Sequence, residues 1–206
     1  STAKKNIDGW LLSIINRNVE RAIKNYESLK FRGAVQNALF DSLNAIRWYQ
    51  RRGGNNNKIL LGAVTDIVKI LTPVTPHLSE ELWDMLGNTE TFVCLEAFPK
   101  ADKKLINEEV ERLEDFIKNI LDDIKHIKSL VEKKAAKKPK SVTLFIAETK
   151  RFKRKKDKKM ELQILKESQD FLEEESGLKI KIEDASKSKD AKAKSATPDK
   201  VGILIE

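Results

Sequence analysis

The segment Leu71–Trp83, which reads LTPVTPHLSEELW, constrains the fold more than any other part of the chain. It follows an apolar helical pattern, and Pro73 and Pro76 interrupt that helix, because proline lacks an amide hydrogen and restricts the residue before it. Thr75 is a candidate N-cap for a new helix, with Pro76 at the tolerated first position. The segment therefore predicts a helix, a sharp kink and a second helix that turns Trp83 inward.

Three amphipathic helical patterns occupy the chain before residue 90. The first begins at Asp8, a candidate N-cap, and ends near a predicted turn at Arg32-Gly33. The second runs to the loop at 53–57, whose sequence GGNNN breaks the pattern, and the third leads into the proline kink and ends at Gly87. Short loops between long amphipathic helices indicate antiparallel neighbours, so these patterns predict a helical bundle.

The second half of the chain changes from helical patterns to mixed ones. A long apolar seam predicts a helix from about 107 to 135, and its width favours packing against a sheet or the bundle over a coiled coil. Apolar runs predict strands at 141–147, 178–183 and 201–206, with a helix at 158–175 between the first two. Strand, helix and strand in that order predict a right-handed crossover and a parallel pair.

The predicted fold class is thus mostly α with a small α/β part. We expect an antiparallel bundle over 1–100, followed by a long helix and a small α/β domain of about three strands over 101–206. Within that domain, 184–200 is rich in Lys, Ser, Ala and Asp, a composition that cannot bury a core, and we expect a flexible loop there.

Composition excludes some classes of function and leaves others open. Lys and Arg total 40 against 32 Asp and Glu, a net charge of +8 that favours polyanionic partners, although 35% charged residues also describes a well-solvated surface. A single cysteine excludes a disulfide framework and a thiolate zinc cluster. Without an apolar run of about 18 residues or a signal peptide, we expect a cytoplasmic protein with no membrane partner. The start Ser1-Thr2-Ala3 lacks Met, which indicates a piece of a longer protein.

The sequence offers no catalytic site. It contains no glycine-rich phosphate loop, no paired carboxylates beside a base and no nucleophile elbow. We expect His77 to pack or cap at a helix start, His126 to be solvated and Cys94 to be a small core residue. No catalytic residue and no metal ligand is predicted in this chain.

Three basic clusters are candidates for contacts with a phosphate backbone, since cations that neutralise phosphates release condensed counterions. One lies at a helix end beside the 53–57 loop, where Trp48 accompanies the arginines and is expected to belong to the core. The others flank the first predicted strand, and 150–159 holds eight cations in ten residues. The alternative for each is a solvated surface. The predicted backbone contacts are Arg47, Arg51, Arg52, Lys133, Lys134, Lys137, Lys138, Arg151, Arg154, Lys155 and Lys156.

The proline segment, read as L-x-P-x-x-P-H-x-x-E-E-L-W, resembles a segment of the class I aminoacyl-tRNA synthetases for Leu, Ile, Val and Met. The stretch Asp8–Asn16 is similar to the opening of their helical bundle, so the resemblance covers residues 8 to about 100. It implies an anticodon-binding-type bundle that follows a catalytic domain. The signatures of the H-I-G-H and K-M-S-K-S types are missing, so ATP and Mg²⁺ are expected in an upstream domain, with no cofactor in this chain.

The order of elements after residue 100 looks like the leucyl-tRNA synthetases of archaeal and eukaryotic type. That resemblance implies a monomeric leucine–tRNA ligase whose C-terminal domain contacts the long variable arm of leucine tRNA isoacceptors. Base contacts then fall on Leu204, Ile205 and Glu206, although Gly202-Ile203 stands where the family pattern has Pro-Ala.

Two alternatives stay open at this point. One is the equivalent part of a valyl- or isoleucyl-tRNA synthetase that reads the anticodon. The other is a non-enzymatic module whose long helix binds a protein partner in a synthetase assembly.

Overall fold

The computed structural model describes residues 2–135, 139–146, 155–185, 188, 190, 192, 196 and 201–205. It divides into two compact units between Glu111 and Arg112, which we call the N-terminal unit and the C-terminal unit. The described part of the chain is mostly helical with one three-stranded sheet, which confirms the predicted fold class. No helix among the described residues is long and apolar enough to cross a membrane.

The N-terminal unit is a set of packed helices connected by short turns. The helices are α1 (Thr2–Glu27), α2 (Phe31–Val35), a π-helical segment (Gln36–Asp41) that continues into α3 (Ser42–Arg51), α4 (Asn57–Leu71), α5 (Pro76–Met85) and a short 3-10 turn (Val93–Leu95). Helix α6 (Glu108–Ala135) begins in this unit, near the predicted position, and Asn107 caps it by accepting hydrogen bonds from the amides of Glu109 and Val110.

Apolar side chains of α1 form one wall of the bundle core. Trp10, Leu11 and Val19 are almost completely buried and pack against residues of the π-helical segment, α3 and α4. The period of about 3.6 residues in the sequence placed these side chains on a single face, as the structure shows. The prediction that Asp8 caps this helix is wrong, because α1 begins at Thr2 and Asp8 lies within it.

The proline kink lies between α4 and α5. Pro76 occupies the first turn of α5, and Trp83 is buried with its indole N–H donating to Thr91 Oγ1 at 3.1 Å. Thr75 stands at the N-cap position, but its hydroxyl donates backwards to the Leu71 carbonyl at 3.3 Å instead of capping α5. The predicted kink is therefore confirmed and the capping role is wrong, because the Thr75 hydroxyl turns back to the Leu71 carbonyl, which also accepts from the amides of Val74 and Thr75 at 2.9 Å.

The turn between α1 and α2 has a leucine where most helices place glycine. Leu29 has φ +57°, and the amide of Lys30 donates to the Asn25 carbonyl at 2.7 Å while the Leu29 amide donates to the Tyr26 carbonyl at 2.9 Å. These two bonds define a Schellman motif with Leu29 at its left-handed position. The predicted turn at Arg32-Gly33 is wrong, because α2 begins at Phe31 and contains both residues.

Replacing Leu29 by glycine is expected to raise the free energy of unfolding of the N-terminal unit by about 1 kcal/mol, since a left-handed conformation strains any residue with a Cβ. The Leu29 side chain is 75% exposed, so little packing is lost. Thermal unfolding followed by tryptophan fluorescence measures the change. A lower melting temperature for Leu29→Gly would mean that the exposed leucine stabilises the fold in a way that its contacts do not show.

The C-terminal unit holds a three-stranded sheet with helices. After α6 come β1 (Ser141–Ile146), α7 (Lys155–Glu167), α8 (Gln169–Ser176), β2 (Lys179–Asp184) and β3 (Gly202–Ile205). The strand order is β2-β1-β3, with β1 parallel to β2 and antiparallel to β3. The predicted parallel pair is confirmed. Most of the predicted loop at 184–200 lies outside the described residues, so the loop stays a prediction.

The single helix predicted for 158–175 is two helices. The backbone at Ser168 leaves helical geometry (φ −99°, ψ 2°), and this residue is fully buried. Helix α8 ends at Gly177, which has φ +68°, as its sequence position indicated. Glu173 connects α8 to β2. Its carboxylate accepts a hydrogen bond from the Ile180 amide at 2.9 Å and forms an ion pair with Lys179 at 3.0 Å. These contacts lower the pKa of the Glu173 carboxyl.

The seam of α6 contributes to the core of the C-terminal unit. Ile117, Leu121 and Ile124 are buried. Polar side chains of the same helix contact α8 and its end. Lys125 forms an ion pair with Glu175 at 2.9 Å, and Lys128 donates to the Ser176 carbonyl at 2.7 Å. Packing within the unit, which we preferred to a coiled coil, therefore holds for this part of α6.

Candidate nucleic-acid interface

The basic cluster of the N-terminal unit lies at the C-terminal end of α3. Arg47 and Arg51 are exposed and stand one helical turn apart, while Arg52 is half-buried at the helix end. The Arg51 guanidinium lies 5.3 Å from the centre of the Trp48 ring, which is a cation–π contact. Trp48 is half-buried against the core, as expected. The three arginines predicted as one cluster are thus together at one helix end.

A buried polar group fixes the position of this helix end. Tyr49 is fully buried, and its hydroxyl donates to the Asp8 carboxylate of α1 while accepting from the Asn56 amide at 3.0 Å. The Asn56 side chain also donates to Asp8 Oδ2 at 3.2 Å. Burial and the hydrogen bond to Asp8 raise the pKa of Tyr49, so the phenol stays protonated and keeps both bonds at neutral pH. We call Asp8, Tyr49 and Asn56 the tyrosine lock.

The loop after α3 closes over the tyrosine lock. Gly54 lies so close to the Tyr49 ring that a Cβ at this position would be 2.3 Å from ring carbons. Gly53 has φ +81°, a left-handed conformation that glycine adopts without strain. Asn56 completes the loop as the N-cap of α4, where its side-chain oxygen accepts from the Lys58 amide at 3.2 Å. Gly53, Gly54 and Asn56 therefore each meet a geometric requirement of this loop.

The other two basic clusters lie mostly outside the described residues. Lys133 is exposed near the end of α6, and Lys134 belongs to the same helix. Lys155 and Lys156 begin α7. The predicted contacts outside the described residues are Lys137, Lys138, Arg151 and Arg154. The role of every residue in these clusters stays a prediction.

The residues predicted to contact bases lie on β3, at one edge of the sheet. The carbonyls of Lys140 and Ile146 accept from the amides of Lys179 and Ala185, so the even-numbered residues of β1 direct their backbone groups to β2. Thr143 and Phe145 therefore direct theirs to β3, whose paired residues are Leu204 and Gly202.

It follows that the backbone amide and carbonyl of Leu204 face β1. Ile203 and Ile205 point their amides and carbonyls to the outer edge, where no further strand pairs among the described residues. The side chains of Leu204 and Ile205 are half-buried and lie on opposite faces of the sheet. Ile205 is thus the described residue of the predicted set with backbone groups at the edge, and Glu206 lies outside the described residues.

The three residues considered for catalysis are all exposed. His77 and His126 are both exposed, which agrees with a solvated His126 but leaves no packing role for His77. The prediction that Cys94 is a core residue is wrong, because it is exposed on the turn after α5. Among the described residues, no three His, Cys, Asp or Glu side chains are grouped as metal ligands would be.

Glu80 explains the position of Cys94. Its carboxylate accepts hydrogen bonds from the amides of Val93 and Cys94 at 2.8 and 3.2 Å, which fastens the turn to α5. Partial burial raises the pKa of Glu80, but the hydrogen bonds from the Val93 amide and from the side chain and amide of Cys94 together outweigh that effect, and the net pKa is lowered. The Val93 amide and the Glu80 carboxylate are 13 residues apart in sequence and meet only in the folded structure. No sequence pattern predicts such a pair.

The tyrosine lock is the main feature that the sequence interpretation missed. The sequence predicts a helix cap at Asp8, because aspartate commonly precedes helices. The signal that could have revealed the lock is Tyr49 itself, since a buried tyrosine in an apolar stripe needs a partner for its hydroxyl.

These features describe a helical domain with an arginine cluster at one helix end, followed along the chain by a unit with a three-stranded sheet. Residues 8–144 match the family described as "Anticodon-binding domain of tRNA ligase", and the chain belongs to this family.

The relatives make the comparison more specific. The chain is 33% identical to the leucine–tRNA ligase of Pyrococcus abyssi over 98% of this chain and 25% of the relative. It is 29% identical to that of Archaeoglobus fulgidus over 97% of this chain and 25% of the relative. Over a shorter region, 61% of this chain and 13% of the relative, it is 40% identical to that of Methanococcus vannielii. The chain spans about a quarter of the length of the first two relatives.

Proposed function

We propose that this chain is the tRNA-docking part of a leucine–tRNA ligase. In this proposal it binds leucine tRNA at the elbow and the long variable arm, so that the acceptor end reaches a catalytic domain upstream in a longer protein. ATP and Mg²⁺ act in that domain, the enzyme works in the cytoplasm as a monomer, and this chain contributes no catalytic group.

One observation carries the choice of leucine. The similarity to leucine–tRNA ligases extends over 97–98% of the chain and therefore includes the C-terminal unit as well as the anticodon-binding family region. A bundle alone would be compatible with the valine and isoleucine enzymes, whose bundles share the proline segment. The sheet unit is the part in which a leucine-specific contact is expected.

In this proposal, different parts of the chain contact the tRNA backbone and the tRNA bases. Arg47 and Arg51 are exposed residues at a helix end that the tyrosine lock holds in place, and the Arg51 guanidinium lies over the Trp48 ring. Such groups bind phosphates and position the RNA without reading its sequence. Unpaired bases at the tip of an arm supply specificity, because their hydrogen-bonding edges are accessible.

The edge of β3 has the chemistry for that second task. The outward amides and carbonyls of Ile203 and Ile205 alternate as donors and acceptors, which matches the edges of unpaired bases. Leu204 then supports the edge from inside the sheet, and the base contacts proposed for Leu204, Ile205 and Glu206 depend chiefly on Ile205 and on Glu206 beyond it.

Titration with three RNAs tests the proposal. The chain is mixed at one stated salt concentration with a leucine tRNA, the same tRNA with a shortened variable arm, and a valine tRNA. We expect at least about a tenfold weaker affinity for the shortened tRNA, which corresponds to roughly 1.4 kcal/mol. Equal affinity for all three would contradict the leucine assignment. Selective binding of the valine tRNA would favour an anticodon-reading relative, and binding to none would favour a protein-interaction module.

A further inference from the structure

A small cavity lies beside the proline kink of the N-terminal unit. Its volume is about 160 Å³, and its wall includes Lys69, Pro73, Val93, Cys94, Glu96 and Phe98. Pro73, Cys94 and Phe98 are exposed, so the cavity opens to the surface. A cavity of roughly 150 Å³ with apolar walls holds a benzene-sized group. The cavity beside the kink therefore has room for one apolar side chain.

Contacts within the N-terminal unit fix the wall of this cavity. Lys69 forms an ion pair with Glu96 at 3.0 Å, which connects α4 to the segment after α5. The Phe98 ring makes an edge-to-face contact with Tyr26, with the ring centres 6.1 Å apart. Glu80 accepts hydrogen bonds from two amides of the 3-10 turn. The cavity is thus formed before any partner binds, which lowers the entropy that binding must overcome.

Exposed apolar side chains occur on the same short segment that forms one wall of the cavity. Phe92 is 64% exposed, Leu95 is 80% exposed and Phe98 is 40% exposed. Apolar side chains exposed together beside a cavity are typical of surfaces that bind another protein. We call the cavity and the exposed residues of 84–98 the turn surface.

The turn surface is acidic, although the net charge of the chain is +8. The stretch 70–99 contains no lysine and no arginine. Asp84 lies four residues after Glu80 and therefore on the side of α5 that faces the 3-10 turn. An acidic surface attracts lysine and arginine side chains and repels phosphates. The exposed acids of the stretch are Glu81, Asp84, Glu90 and Glu96.

Basic residues lie at the margins of the turn surface. The charge of Lys69 is paired with Glu96, and Lys100 is exposed just after the segment. Next to Tyr26 in sequence the exposed charges are mixed, with Glu27, Lys30 and Arg32. The acidic character therefore belongs to α5 and the segment that follows it.

We propose that the turn surface docks a basic segment of a protein partner. One apolar side chain of that segment enters the cavity, and the lysine or arginine side chains beside it pair with the exposed acids. Such a segment complements the surface in both respects, because its cations match the carboxylates and its apolar residue covers the exposed phenylalanines. This inference goes beyond the proposed function, since the RNA contacts proposed above lie at the end of α3 and in the C-terminal part of the chain.

Alkylation of Cys94 tests the proposal. Cys94 is the single cysteine of the chain and lies in the cavity wall, so the rate at which a small maleimide reacts with its thiol reports access to the cavity. The hydrogen bond with Glu80 raises the pKa of this thiol, so all rates are compared at one pH. The probes are the capped peptides KKFKK, KKAKK and EEFEE, added at low salt to the whole 206-residue chain.

We expect KKFKK to slow the alkylation with at least about tenfold higher affinity than KKAKK, because only the first peptide fills the cavity. EEFEE should leave the rate unchanged, because its charges repel the acidic surface. Leucine tRNA added in place of a peptide should also leave the rate unchanged.

Asp84→Asn combined with Glu90→Gln removes two exposed carboxylates of the turn surface. This double variant should bind KKFKK and KKAKK each about fivefold more weakly and preserve the ratio between them. Asp122→Asn combined with Asp123→Asn is the matched control, because both residues are exposed acids of α6. The control should bind both peptides as the parent chain does.

Equal protection of Cys94 by KKFKK and KKAKK would overturn the proposal, because the cavity would then contribute nothing. Equal weakening in the two double variants would overturn it as well. Protection by leucine tRNA without protection by KKFKK would assign the turn surface to RNA instead. Failure of the proposed function is recognised separately, because the comparison of the three tRNAs does not depend on the peptides.

Discussion

Replacing Gly54 by alanine is expected to lower the free energy of unfolding of the N-terminal unit by about 3 kcal/mol. A Cβ on Gly54 would lie 2.3 Å from two carbons of the Tyr49 ring, far inside van der Waals contact. The ring cannot move freely, because it is fully buried and its hydroxyl is bonded to Asp8 and Asn56. Overpacking alone costs roughly 1–3 kcal/mol of stability. Displacing the ring also weakens the Tyr49 hydrogen bonds, which contribute about 1 kcal/mol each.

The measurement for Gly54→Ala is unfolding followed by tryptophan fluorescence. The three tryptophans are Trp10, Trp48 and Trp83, all in the N-terminal unit, so the signal reports that unit selectively. Gly62→Ala is the matched control: nothing lies within 4 Å of its Cβ position in α4, and alanine there should stabilise the helix by about 0.5–1 kcal/mol. If Gly54→Ala is as stable as the parent chain, Tyr49 has room to move and the lock does not fix the arginines.

Replacing Arg47 and Arg51 together by glutamine is expected to weaken tRNA binding by at least about tenfold at low salt. Each arginine that neutralises a phosphate contributes about 0.7–0.9 to the slope of log affinity against log salt, so the slope should become shallower by about 1.5. The effect should be similar for leucine and valine tRNAs, because phosphate contacts carry no sequence information.

Affinity of the double variant is measured at several salt concentrations beside Lys103→Gln. Lys103 is a matched exposed cation, with 80% of its side chain accessible, in the loop before α6. We expect Lys103→Gln to leave the slope unchanged. The same slope for the parent chain and the double variant would show that the two arginines form a solvated surface, and the backbone contacts would then have to come from the lysine-rich clusters.

Local sequence chemistry predicted the elements that depend on neighbours in the chain. The proline segment produced the α4–α5 kink because the missing amide of Pro76 suits only a first helical turn. Gly87 and Gly177 end α5 and α8 with positive φ, as their positions indicated. The wrong predictions concern residues whose partners are distant in sequence. Asp8 accepts a hydrogen bond from Tyr49 instead of capping a helix. Cys94 is exposed on a turn whose backbone is hydrogen-bonded to Glu80.

The candidate site also combines features that local sequence predicts with features that depend on contacts between distant residues. Spacing alone placed Arg47 and Arg51 on one side of α3, because residues four apart share a helix face. Which backbone groups of β3 face the outer edge of the described sheet could not be predicted, because that depends on the pairing of β1 with β2 and β3.

The sequence by itself determined the helical bundle, the parallel strand pair and the basic character of this protein, because periodicity, proline, glycine and charge act over a few residues. The tertiary structure decided which side chains meet across long separations: Tyr49 with Asp8, Tyr26 with Phe98, and Thr143 with Leu204. Those contacts depend on how whole elements pack, and packing is the sum of many weak interactions that no single stretch of sequence contains.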